Sequence, residues 1–236
     1  MIADLLVITL PAFTLGAVLM ALGNRRVGRD DRHARWLKFS VFFAIVHGVL
    51  FAAAGGTPWI SGVVVLIVVC GVPELARAWH RIPGHPLAIW AVYGAVGGLA
   101  IANTFALPPA WIAFLFLVAA SFDGFGQVVG QWAGRTPLAP RISPAKTVEG
   151  ALGGMIAALV VALAVRAVPG VDVPGALMWG AATAIAALAG DLSKSWVKRR
   201  AGIKDFGRAL PGQGGFLDRF DSFLAACALV GLLLRF

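Results

Sequence analysis

The chain has 236 residues, is 59% hydrophobic and only 13% charged, and has a mean hydropathy of +0.85. Soluble domains carry about 25% charged residues, so a water-soluble globule is excluded and an all-α, polytopic membrane protein is indicated. The net charge of +9 lies in short loops between apolar runs, which speaks for membrane topology and contact with membrane lipids, and against nucleic acid.

A bilayer core takes about 20 mostly apolar residues per helix. Eight transmembrane helices are predicted, at about 3–22, 37–54, 57–73, 87–105, 109–130, 150–168, 175–192 and 216–234. The first, opening "MIADLLVITLPAF", lacks a basic leader and a small-residue cleavage site, so it reads as a span and not as a cleaved signal. The third is the shortest clean apolar stretch, "VVVLIVVCGV". Glycine-rich runs, "GAVGG" at Gly94 to Gly98 and "GALGG" at Gly150 to Gly154, suit close helix packing.

Between these spans the loops alternate. Those at 23–36, 74–86, 131–149 and 193–215 are basic, whereas those at 55–56, 106–108 and 169–174 hold one charge, Asp172. Of 20 Lys and Arg residues, only Arg166 and Arg235 fall on the sparse side. The positive-inside rule makes the basic side cytoplasmic and puts both termini on the non-cytoplasmic side of a cell inner membrane. Trp36, Trp79, Trp132 and Trp196 lie near cytoplasmic ends and Trp59, Trp111 and Trp179 near outer ends, as an interfacial belt does. Cys70 and Cys227 read as buried hydrophobes. His33, His47, His80 and His85 read as packing or surface residues and form no site.

Five of the eleven acids, Asp4, Asp30, Asp31, Glu74 and Asp172, sit in loops or near helix ends and read as solvated. Glu149 reads as an acid favouring the start of span six. Four others are harder to dismiss. Asp123 lies in span five, Asp191 ends span seven, and Asp218 and Asp221 open span eight on one helix face. Carboxylates in membrane helices are costly and usually face a polar cavity. Four of them at one membrane face, beside basic loops, suit a divalent cation such as Mg²⁺, which binds a few carboxylates and completes its shell with water or substrate phosphates. One basic loop, "GRTPLAPRISPAKTVEG", supplies Arg135, Arg141, Ser143, Lys146 and Thr147 and is stiffened by prolines. The other, "SWVKRRAGIKDFGRALPGQGGFLDRFDS", runs from Ser195 to Ser222, and its Gly-rich turn lets backbone approach a ligand closely.

With those pieces assembled, the chain resembles the phosphatidate cytidylyltransferases, or CDP-diacylglycerol synthases. Their C-terminal signature is matched by Ser195, Lys198-Arg199, Lys204-Asp205, Pro211, Gly214-Gly215, Asp218-Arg219 and Asp221, and their upstream loop by "LAPRISPAKTVEG". Asp123 and the Gly190-Asp191-Leu192 triplet match as well, so the resemblance is dense over 120–222. It implies an N-terminal set of helices, 1–105, and a catalytic region, 106–236. The implied reaction converts CTP and phosphatidic acid to CDP-diacylglycerol and pyrophosphate. Asp218, Asp221, Lys204 and Arg219 are the catalytic candidates. Ser195, Lys198, Arg199, Arg141, Ser143, Lys146, Gln213, Gly214 and Gly215 would bind substrate, and Asp218, Asp221, Asp191 and Asp123 would hold metal. A homodimer is a further family expectation.

Three departures stand out. Gln213 replaces the signature His, Lys194 replaces an acid before the signature Ser, and Gly124, Phe125 and Gly126 follow Asp123. Gln hydrogen-bonds but cannot shuttle protons, and an ammonium at 194 would itself fill the place of a second cation. These departures leave room for a CTP-dependent lipid kinase, a cytidylyltransferase for another lipid phosphate, or a non-catalytic lipid-binding relative. The DG-x2-DG-x2-AR pattern of the CDP-alcohol phosphotransferases is absent.

Overall fold

A computed structural model describes residues 1–24, 28–82 and 86–236; Arg25, Arg26 and His85 lie outside them. Among the described residues the chain forms eight helices: α1 (Ile2–Gly23), α2 (Arg29–Gly55), α3 (Thr57–Trp79), α4 (Pro86–Ala106), α5 (Pro109–Ala133), α6 (Val148–Val165), α7 (Val173–Arg200) and α8 (Phe216–Leu233). Seven of them are long and apolar enough to cross a membrane. The remaining one, α8, opens with Asp218, Arg219 and Asp221. This is a helical membrane protein, as expected.

Two helices form the centre. Every residue from Ile112 to Ala119 of α5 is buried, and so is every residue from Ser222 to Ala228 of α8. A helix apolar on all sides is one that other helices enclose. The two meet through Phe116 and Phe223, whose rings pack edge to face with centroids 5.3 Å apart. Asn103 of α4 adds a polar tie that hydropathy alone does not reveal. Its amide donates to the carbonyls of Cys227 (2.8 Å) and Ala228 (3.2 Å) of α8, and Gly231 gives it room. Asp123 therefore follows the enclosed stretch of α5, and Asp218 and Asp221 precede that of α8, where apolar packing gives way to polar groups.

The closest helix pair is α5 with α6. A Cβ at Gly150 would stand 2.7 Å from the Gly126 carbonyl, and one at Gly154 would stand 2.6 Å from that of Phe122. "GALGG" is thus a packing seam, as its composition suggests. "GAVGG" is one only at Gly97, which meets Val68; Gly94 and Gly98 face open space. Trp111 and Trp179 share one end of the bundle with ring centroids 6.1 Å apart. Cys70 and Cys227 are unlinked, and His47 is buried and stacked on Phe43.

Four stretches expected as loops are ordered differently, the first being 23–36, where α2 already begins at Arg29. Helix α7 continues to Arg200, so Asp191, Lys194, Ser195 and Lys198 recur at helical spacing on one face. The 131–149 segment contains an antiparallel hairpin, β1 (Pro137–Ala139) with β2 (Ser143–Thr147). Helix α3 extends to Trp79, which places Glu74 inside a helix.

Candidate active site

The hairpin, the C-terminal half of α7 and the start of α8 converge beside α5. Thr147 caps α6, its hydroxyl accepting from the Gly150 N–H at 3.1 Å. Glu149 folds back to accept from the N–H groups of Arg135 (3.0 Å) and Thr136 (3.1 Å) and from the Thr136 hydroxyl (2.8 Å), which fixes the hairpin to both helices. Arg199 joins α7 to the same hairpin through the Ile142 carbonyl at 3.2 Å.

Three aspartates and three lysines interlock here, beside Asp123. Asp191 pairs through Oδ2 with Lys146 and through Oδ1 with Lys194 at 3.0 Å. Lys194 also reaches Asp221 Oδ1 at 2.8 Å and the Asp218 main-chain carbonyl at 3.0 Å. Lys198 pairs with Asp218 Oδ1 at 3.0 Å, while Asp218 Oδ2 accepts from the Phe206 and Gly215 N–H groups at 2.8 and 3.1 Å. Burial of Lys146 pulls its ammonium below the ordinary lysine range, and Asp123 acts in the opposite direction. Removing one partner from a desolvated ion pair strands the other, so this cluster is mutually dependent.

Two cavities meet at the cluster. One, of about 320 Å³, has a mixed lining that includes the charged or polar Asp123, Gln127, Lys146, Asp191, Asp218 and Arg219. The other, of about 810 Å³, is mostly apolar, running between α4, α7 and α8 past Val92, Val96, Leu192, Leu224 and Leu229, with Asp221 in its wall. Lys194 lines both.

Of the residues expected from sequence, Asp123, Asp191, Asp218, Asp221, Lys146, Lys198 and Arg219 come together. Ser195 is buried on the same face of α7. Lys204 and Arg141 are exposed, Ser143 is half-buried in β2, and none of the three lines either cavity. Gln213, Gly214 and Gly215 form the turn before α8. Gly212 and Gly214 have φ of 70° and 89°, where side chains with a Cβ are strained. Gln213 bridges: its amide donates to the Lys38 carbonyl of α2 at 2.8 Å and its oxygen accepts from Arg219.

No three His, Cys, Asp or Glu side chains among the described residues converge as a metal site. The donor set nevertheless fits a cation that needs few protein ligands. Asp221 Oδ2 is buried without a hydrogen-bond partner, and Asp123 has no ion-pair partner among the described residues. Asp191, by contrast, has both oxygens held by lysines, and Asp218 is held by Lys198 and two backbone N–H groups.

Sequence reasoning missed Glu74. It is not solvated but 2% exposed, and its carboxylate accepts from the Phe216 and Leu217 N–H groups at the start of α8, at 3.0 and 2.9 Å. The available signal was a single acid in a helical run continuing past Pro73.

A model described as the cytidylyltransferase family matches residues 5–236. The phosphatidate cytidylyltransferase of Brucella abortus biovar 1 (strain 9-941) is 35% identical over 231 residues, covering 93% of this chain and 83% of that one. That of Staphylococcus saprophyticus is 40% identical over 126 residues, 52% of this chain and 48% of that one, and that of Staphylococcus aureus (strain COL) is 38% identical over the same length. The likeness reaches well beyond 120–222 into the N-terminal helices, one of which supplies Glu74 to the site, and the chain belongs to the cytidylyltransferase family.

Proposed function

We propose that the protein is a phosphatidate cytidylyltransferase that makes CDP-diacylglycerol and pyrophosphate from CTP and phosphatidic acid. The observation that carries this reading is Lys194 standing in the walls of both a cavity lined by charged side chains and a mostly apolar one. A lipid phosphate needs such a junction, with room for acyl chains between helices and charged partners at its head.

In the reaction an oxygen of the lipid phosphate attacks the α-phosphorus of CTP. The bond from that phosphorus to the bridging oxygen breaks, and pyrophosphate leaves with the electron pair. The attacking phosphate is already anionic, so positioning and charge neutralisation supply the catalysis, with no strong base required. Lys146 and Arg219 line the smaller cavity and Lys198 pairs with Asp218 in its wall, and these three would hold phosphates. Asp221, through its unpartnered Oδ2, and Asp123, which has no ion-pair partner among the described residues, would hold Mg²⁺, with Asp218 and Asp191 beside them. When bound, the ion would neutralise nucleotide phosphate charge. Ser195 would hydrogen-bond substrate from α7. The basic segments would face the cytoplasm, where CTP is found, and both termini would lie on the other side of a cell inner membrane.

Purified protein given phosphatidic acid, Mg²⁺ and CTP labelled at the α-phosphorus should transfer label to lipid. Label reaching lipid only from the γ-position identifies a kinase instead, and transfer from neither position overturns the assignment.

A further inference from the structure

Lys194 is unusual in how its ammonium is used. A lysine has three N–H donors and no acceptor. Here three oxygens lie around Nζ: Asp221 Oδ1 at 2.8 Å, Asp191 Oδ1 at 3.0 Å and the Asp218 carbonyl at 3.0 Å. These come from both α7 and α8. They can surround one atom because Gly190 brings the helices together: a Cβ there would stand 2.6 Å from Ala225 Cβ and 2.9 Å from the Asp221 carbonyl. The side chain is 11% exposed.

This donor count separates two roles for a basic residue in such a site. A lysine that grips substrate phosphate keeps a donor free, as Lys198 does, with its single carboxylate partner. Lys194 has none to give. Its charge instead offsets two carboxylates that would otherwise repel each other across the α7–α8 junction.

We propose that Lys194 is a built-in monovalent cation. Its ammonium fills a three-oxygen cation position between α7 and α8, and removing the side chain opens a site that takes up ammonium or another small monovalent cation from solution. The inference rests on the reading of this cluster as the catalytic centre and adds that part of its cation requirement is met by the chain itself.

The test is thermal melting of detergent-purified K194A and wild type in N-methylglucamine chloride, with ammonium chloride replacing it at constant ionic strength. K194A should show a saturable rise in melting temperature of about 5–10 °C, as expected when a ligand binds only the folded state at roughly a hundredfold over its Kd, while wild type stays flat. Potassium chloride gives a second probe. Equal flat responses in both proteins overturn the proposal. If K194A yields no folded protein in any salt, the same titration is made on K194A/D221N, which neutralises the carboxylate that loses its one ion-pair partner and keeps an amide oxygen in its place, and a flat response there overturns it too. Melting uses neither CTP nor lipid, so its outcome is independent of the labelling experiment that tests the function.

Discussion

Glu74 of α3 and Leu217 of α8 are joined by a buried hydrogen bond, the Leu217 N–H donating to Glu74 Oε2 at 2.9 Å, and the same carboxylate takes the Phe216 N–H. The first N–H groups of a helix have no intrahelical partner, and an anion there also meets the positive end of the helix dipole. Gly207 and Gly215 leave the space this carboxylate needs: a Cβ at Gly215 would come within 2.4 Å of it. Glu74 therefore sets where α8 begins, and with it the position of Asp218 and Asp221.

Replacing Glu74 with Ala should strand two buried donors, each worth about 1–3 kcal/mol, and lower both melting temperature and turnover. Gln offers one acceptor oxygen in place of two, so E74Q should recover about half of the lost stability. Melting curves of the two variants check this; equal losses in both would mean that the hydrogen bonds are not what matters.

Asp123 and Asp191 line the same cavity but should respond oppositely to amidation. D191N breaks pairs with Lys146 and Lys194, and loss of one partner from a buried pair costs about 3–5 kcal/mol, so it should melt markedly lower. Asp123 has no such partner among the described residues, so D123N should melt within a few degrees of wild type yet lose about 100-fold or more in turnover, the scale on which transition-state charge stabilisation is felt. Paired melting and rate measurements decide the matter. A stable and active D123N would remove Asp123 from the site.

Much of this was legible in the chain. Hydropathy marks the helices because a bilayer demands long apolar runs, and the spacing of Asp218, Arg219 and Asp221 marks the charged start of α8. What hydropathy hides are polar groups satisfied inside helices. Glu74 looked like a loop acid because the apolar run weakens at Pro73, yet the helix continues to Trp79. Lys194 and Lys198 looked like loop cations because charge usually ends a span, whereas α7 continues to Arg200 and turns them towards Asp191, Asp218 and Asp221. Lys204, inside the same signature, is exposed and lines neither cavity. Motif spacing says which residues belong together in sequence, but the helix end decides which of them meet.

Gln213 ties the Lys38 carbonyl to Arg219. Q213L removes both bonds and leaves polar partners unpaired, at about 1–3 kcal/mol each, so it should cut turnover at every pH. Q213H can replace both bonds while neutral. Protonation near the ordinary His value of about 6.5 would turn its acceptor into a donor facing Arg219. Q213H should therefore match wild type above pH 7 and acquire a new fall in rate as pH drops through about 6.5. A pH–rate profile shows it, and identical profiles for the two proteins would mean that Arg219 does not depend on this contact.

The glycine runs give a contrast within one chemistry. A methyl group at Gly154 would stand 2.6 Å from the Phe122 carbonyl and 3.3 Å from Gly126 Cα. G154A must then push α6 from α5, at about 1–3 kcal/mol for overpacking, and Asp123, the next residue after Phe122, moves with the displaced turn. Gly94 meets nothing within 4 Å, so G94A should be neutral or gain up to about 1 kcal/mol from helix propensity. Expected, then, are a lower melting temperature and impaired turnover for G154A beside an unaffected or more stable G94A. Loss of stability without loss of turnover in G154A would show that the α5–α6 seam does not position Asp123.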